Sequence, residues 1–128
     1  MAALTDYREK LGDRYHGRHV LVTGGAGFIG SHLSKALVQL GAEVVVIDNL
    51  DGGDRANLEP AEAAGPGSLT FMEASILDTD ALAEATAGCR RVFHQAALGS
   101  VPRSMEEPDL YTRVNIVGTH HVLEAARA

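Results

Sequence analysis

Apolar positions along the chain follow two periods. Leu4, Tyr7 and Leu11 fall at helical spacing and predict a short amphipathic helix over 4–12, which Gly12 and Gly17 then interrupt. "HVLVT" (19–23) is a β-branched apolar run of the kind that forms a strand buried on both faces. From Phe28 through Ile29, Leu33, Leu37 and Leu40 the helical period returns, and Gly41 stops it. "EVVVID" (43–48) reads as a second buried strand. Residues 51–68 are polar and rich in Gly and Pro, a loop with one short helix near 58–64. "LTFME" (69–73) is a third strand, 80–87 an alanine-rich helix closed by Gly88, and "RVFHQ" (91–95) a fourth strand. "AALGSVPRSMEEP" (96–108) reads as a loop, with Met105, Glu106 and Glu107 a solvated lead-in. Residues 109–128 read as one long helix entered through Pro108, a favoured first-turn residue.

Strands alternating with helices imply an α/β protein with a parallel sheet and right-handed crossovers. The expected fold is a doubly wound Rossmann-type sheet with strand order 3-2-1-4. A length of 128 residues suits one domain. The formal charge of −6 argues against a nucleic-acid partner, which demands clustered Lys and Arg. The pair Arg90-Arg91 reads as a solvated strand entry. One cysteine, Cys89, cannot form an internal disulfide and reads as a packing residue. No apolar run approaches the ~18 residues of a membrane helix, and the N-terminus lacks a secretory leader pattern. The expectation is a cytoplasmic protein with no membrane partner.

The chemistry concentrates at residues 23–30, "TGGAGFIG", where Gly24, Gly27 and Gly30 stand between a buried strand and an amphipathic helix. In that context Gly24 allows a tight turn, Gly27 lets backbone approach a pyrophosphate, and Gly30 lets the helix pack close to the sheet. The unpaired N–H groups at the helix start then face the phosphates. A Gly-rich turn without ligand is the competing reading. Asp48, at the end of the second strand, can accept both ribose hydroxyls of an adenosine and repels a 2′-phosphate, which favours NAD over NADP. Arg55 is the one nearby cation that would oppose this. A capping or solvated Asp is the plainer alternative. No Gly-Lys-Ser/Thr follows the glycines, which excludes a P-loop.

Four stretches, "VLVTGGAGFIGSHL" (20–33), "VVVIDNLDGGDRANL" (44–58), "VFHQAALGSVPRS" (92–104) and "VNIVGTHHVLEAAR" (114–127), resemble the extended short-chain dehydrogenase/reductases, specifically the NAD-dependent sugar-nucleotide epimerases and dehydratases. The resemblance implies that Gly24, Gly27 and Gly30 line the pyrophosphate and that Phe28 and Ile29 contribute backbone N–H groups. It places Asp48 on the adenosine ribose with Asn49 beside it, Ser75 and Ile76 at the adenine, and Ala96 and Ala97 along the cofactor. The family usually carries Asp where Ser75 stands. Ser100 and Arg103 would lie near the nicotinamide and the sugar-nucleotide pocket, and Asn115 would face the catalytic centre. "HQAALGSVPRS" with a helical N-terminal extension is most similar to UDP-N-acetylglucosamine 4-epimerases, with UDP-glucose and UDP-glucuronate 4-epimerases close.

That family oxidises a sugar carbon transiently, with a tyrosinate as base and a lysine four residues later tuning it. No Tyr-x-x-x-Lys exists here: Tyr7, Tyr15 and Tyr111 are followed four residues on by Leu11, His19 and Asn115. The chain therefore reads as the N-terminal part of a larger enzyme, with 1–17 a helical extension and 18–128 the NAD-binding domain. The fourth strand would otherwise be an open edge. No catalytic residue is expected within it, only Asn115 in support. The implied partners of the whole enzyme are a UDP-sugar and a second copy, joined through the helix over 108–127. A dehydratase or reductase of the family, or a non-catalytic dinucleotide-binding module, are the alternatives. His94, near the end of a buried strand, reads as a satisfied core histidine, and the adjacent His120 and His121 point ~100° apart, which excludes a metal pair. Gly118, inside a helix, implies a close packing contact.

Overall fold

The computed structural model describes residues 6–128. Helix α1 (Asp6–Leu11) and a 3-10 turn (Gly12–Arg14) precede strand β1 (His19–Thr23). Leu4, from the expected first helix, lies outside the described residues. Then come α2 (Phe28–Gln39), β2 (Glu43–Asp48), a 3-10 turn (Arg55–Leu58), α3 (Glu59–Glu62), β3 (Ser68–Glu73), α4 (Thr79–Thr86) and β4 (Arg91–His94). Helices α5 (Val101–Glu106) and α6 (Pro108–Thr112) follow, and a π-helical turn (Arg113–Val117) runs into α7 (Gly118–Arg127).

The four strands form one parallel sheet in the order β3-β2-β1-β4. This is the doubly wound arrangement expected from the alternation of elements. Period-two alternation splits the apolar run of each central strand between two layers. Val20, Val22, Val44 and Val46 face Leu37, Val38 and Leu58 on one side. Leu21 and Ile47 face Ile76, Leu82 and Val122 on the other. Each fully buried aliphatic side chain of this kind contributes roughly 1.5–3 kcal/mol. β4 lies at the sheet edge and is only half-buried along Val92–His94.

Two expectations need correction. Part of the stretch over 96–108 is a helix, α5, and not a loop. Ser100 caps it by accepting from the Arg103 N–H at 3.3 Å, and Pro102 is tolerated because first-turn N–H groups need no partner. The long helix over 109–128 is also not one uninterrupted α-helix, since residues 113–117 take the wider π turn. Gly118 follows that turn, and a Cβ there would stand 2.6 Å from Ile76 Cδ1, the close contact expected of a helical glycine.

The tightest approach joins β1 to α2. A Cβ on Gly30 would overlap the Gly24 carbonyl oxygen, and Gly24 itself turns at φ +67° with its Cα against the Ala96 backbone. Neither obstacle is a flexible side chain. Gly30→Ala is expected to lower stability by about 2 kcal/mol despite alanine's better helix propensity, as read by urea denaturation.

Candidate functional site

Register aligns Thr23 with Ile47 and with His94, so the carboxyl ends of β1, β2 and β4 lie side by side. The chain leaves each of them into a loop, and the loops border an open cleft. Open parallel sheets bind ligands at such a crevice. Gly24 and Gly27 line it from the first loop, Asp48, Asn49, Asp51 and Gly53 from the second, Ser75 and Ile76 from beyond β3, and Gln95, Ala96, Ala97 and Leu98 from beyond β4.

Helix α2 opens onto this cleft. Its N-cap is Gly27, which has no side chain to satisfy the first N–H groups, and those groups have no acceptor within the helix. A Cβ on Gly27 would meet nothing nearer than the Gly24 oxygen at 3.4 Å, in ordinary extended backbone. The glycine here therefore answers to open space, unlike Gly24 and Gly30, which answer to packing. An anion fits this donor set.

Asp48 is oriented by backbone. Its Oδ2 accepts from the Ala26 N–H at 2.9 Å and its Oδ1 from the Leu50 N–H at 2.8 Å. The second bond closes a tight turn in which Leu50 takes φ +63°. Each carboxylate oxygen keeps a further lone pair for an incoming hydroxyl. Gly53 completes the second loop: its Cα packs so close to Ala26 that a Cβ would stand 2.7 Å from the Ala26 oxygen. Asn57 Nδ2 donates to the same oxygen at 2.9 Å.

The cleft wall beyond β4 hangs on Thr23. Its buried Oγ1 accepts from the Gln95 and Ala96 N–H groups at 3.1 and 3.2 Å. Its proton thus goes to His94 Nδ1, 2.6 Å away. His94 Nε2–H donates to Thr119 Oγ1 at 2.9 Å, because the Thr119 proton is given to the Asn115 carbonyl at 2.7 Å. Every polar atom of the ring has a partner suited to the neutral form, and burial pushes the His94 pKa down. Asn115 Oδ1 accepts from the Leu98 N–H at 2.8 Å while its Nδ2 donates to the Leu98 oxygen at 3.0 Å. The π turn thereby fixes the next residue of the wall.

The side-chain-free start of α2 and the backbone-held carboxylate of Asp48 thus meet in one cleft. Residues 20–128 match the model of the NAD dependent epimerase/dehydratase family. The chain belongs to this family. It is 38% identical over 111 residues to UDP-glucose 4-epimerase of Erwinia amylovora, a match covering 85% of this chain and 33% of that protein. It is 43% identical over 111 residues to a probable dTDP-glucose 4,6-dehydratase of Sinorhizobium fredii, covering 84% of this chain and 31% of that one. The crystal structure of UDP-glucose 4-epimerase from Brucella ovis in complex with NAD superposes with a TM-score of 0.74 at 40% identity, covering 87% of this chain and 32% of that one. The chain spans about a third of the length of these relatives.

Of the residues that the family resemblance singled out, the structure brings Gly24, Gly27, Asp48, Asn49, Ser75, Ile76, Ala96 and Ala97 to one cleft. Phe28 and Ile29 begin α2 as residues 79% and 67% exposed, so it is their backbone that the cleft can use. Gly30 is behind the cleft, against Gly24. Ser75 Oγ is held by the Leu77 N–H at 3.1 Å, an ST turn that leaves the hydroxyl at the rim. Ser100 and Arg103 do not line the cleft; Ser100 caps α5 and its N–H donates to Tyr111 Oη at 3.0 Å. Arg103 bridges to it instead, donating Nη1 to Asp51 Oδ1 at 2.9 Å and Nε to Glu107 at 2.6 Å. Hydrogen bonds to Asp51 and then Glu107 raise its pKa further.

Sequence reasoning passed over Thr23, Asp51, Gly53, Gln95 and Leu98. The Gly52-Gly53 pair following Asp48-Asn49 was the available signal for the second loop; the others act through contacts between distant segments. Cys89 is half-buried between α4 and β4, with burial raising its pKa, in keeping with a packing role. Among the described residues no cluster of His, Cys, Asp and Glu could hold a metal.

Two outcomes follow from this geometry. Gly27→Ala should unfold at the wild-type urea midpoint yet lose at least about tenfold in affinity for a dinucleotide, read by titration calorimetry. His94 is held neutral in the fold, below the 6.5 of a free histidine. The unfolded chain therefore binds its proton first, and this contribution to stability, full above pH 6.5, is lost as pH falls through the folded value. The urea midpoint of the wild type should drop between pH 7.5 and 5 by more than that of His94→Gln.

Proposed function

We propose that this chain forms the NAD-binding portion of a nucleotide-sugar 4-epimerase, an enzyme that oxidises one carbon of a UDP-sugar and reduces it again on the other face. The observation that carries the reading is the meeting, in one cleft, of the side-chain-free start of α2 and the backbone-oriented carboxylate of Asp48. Gly24, Gly27 and the N–H groups of Phe28 and Ile29 would hold a pyrophosphate. Asp48, with Asn49 beside it, would accept the adenosine ribose hydroxyls, and Ser75 and Ile76 would border the adenine. Ala96 and Ala97 would line the remainder, with Ser100 and Arg103 toward the sugar nucleotide and Asn115 in support. Bound NAD supplies a hydride acceptor that can return the hydride. These 128 residues bind and orient it, and contain no Tyr-x-x-x-Lys to move the hydroxyl proton.

The binding unit in this reading is 18–128, with 1–17 an appended helical segment, and the setting is the cytoplasm. No helix among the described residues is long and apolar enough to cross a membrane. Exposed Ile116, Val117 and Leu123 support a homodimer contact along residues 108–127 in the whole enzyme. A dehydratase is the second reading, since the probable dehydratase relative matches about as well as the epimerases do.

Titration calorimetry with NAD tests the proposal. One molecule should bind per chain, and Asp48→Ala should weaken binding at least about tenfold, the loss expected when charge-assisted hydrogen bonds are removed. A folded chain that takes up no NAD would overturn it. Tighter binding of dTDP-glucose than UDP-glucose to the NAD complex would favour the dehydratase reading.

A further inference from the structure

Arg55 is the only Lys or Arg between Asp48 and Arg90. Its neighbours Asp54 and Asn57 are tied through Ala26 to Asp48. The Asp54 N–H donates to the Ala26 oxygen at 3.1 Å, Asn57 donates to the same oxygen, and the Ala26 N–H holds Asp48. A guanidinium anchored there would reach the edge of a ribose on Asp48. The side chain instead turns away. It lies over the Phe71 ring, 5.0 Å from its centroid, and pairs through Nη1 with Glu62 of α3. Phe71 is two residues short of Glu73, which is paired in register with Asp48, so the ring lies on the strand beside the one that carries the carboxylate.

We propose that Glu62 is a specificity-determining residue for the dinucleotide, acting by holding Arg55 away from the ribose 2′ position. This inference rests on the NAD-binding reading above. Asp48 repels a 2′-phosphate; Glu62 withholds a cation able to offset that repulsion. Both members of the pair are part-exposed, with side-chain exposures of 45% and 39%. An ion pair in that setting is weak, and without it only the Phe71 ring contact remains to hold the arginine in place. Arginine then offers forked donors that match a phosphate. Glu62 touches no ligand in this scheme and acts only through Arg55.

The test is titration of the full 128-residue chain with NAD and with NADP. Glu62→Gln should leave NAD affinity unchanged and tighten NADP about fivefold, within the gain of one exposed charge-assisted hydrogen bond. Arg55→Gln added to it should return NADP to its wild-type weakness, which a merely structural role for Glu62 would not produce. If Glu62→Gln binds NAD normally and NADP no better than wild type, the proposal fails while the NAD reading stands. If the folded wild type binds neither dinucleotide, both fail.

Discussion

The Gly24 carbonyl oxygen occupies the space that a Cβ on residue 30 would fill. This contact brings the start of α2 down onto the end of β1, and the rest of the site depends on it. With the helix this close, Ala26 can hand its N–H to Asp48 and its carbonyl to Asn57 and Asp54. One residue thus ties the first loop to the second. Gly24 is pinned from the other side by the Ala96 backbone, so the fourth strand's loop is drawn into the same cluster. The cleft is a by-product of close packing around atoms that are missing. Its floor is backbone, which is why its donors are N–H groups and why the few side chains that enter it, Asp48 above all, are themselves fixed by backbone partners.

The wall beyond β4 is held by a different device. Thr23, His94, Thr119 and Asn115 form a directed relay of hydrogen bonds from the Gln95 and Ala96 amides to the π turn. Each hydroxyl has one proton, so the direction of every bond is determined once both ends are fixed. Such networks are worth most when fully satisfied, and no buried side-chain polar atom among the described residues lacks a partner. The histidine's neutrality is a condition of the wall's shape.

Much of this was legible in the sequence because it is local. The strands, their order and the two-faced core follow from runs such as "VLV" and "VVVI", whose alternation serves both layers. The glycine spacing and Asp48 announce the cleft, since turn, close approach and carboxylate all fall within one strand-turn-helix unit and the next strand. What escaped was non-local or non-periodic. Helix α5 is six residues long, carries a proline in its first turn and buries nothing, so no apolar period marks it. The bridge from Arg103 to Asp51 joins residues 52 apart, and only the folded chain shows that Arg103 reaches an acid on the opposite loop. Thr23 looked like the last residue of a strand; its role comes from what β4 places beside it.

The π turn at Arg113–Val117 lets one helix serve two masters. Before the turn Tyr111 reaches the Ser100 cap of α5, and within it Asn115 holds the cleft wall; downstream, Gly118 and Val122 pack on Ile76 and the layer containing α4. A regular helix advances ~100° per residue, so the wider turn acts as a phase shifter that resets azimuth between the two halves. A one-residue deletion would leave a helix of nearly the same character and rotate one half out of step with its targets, so the residue count of this segment matters alongside the identities of Asn115 and Gly118.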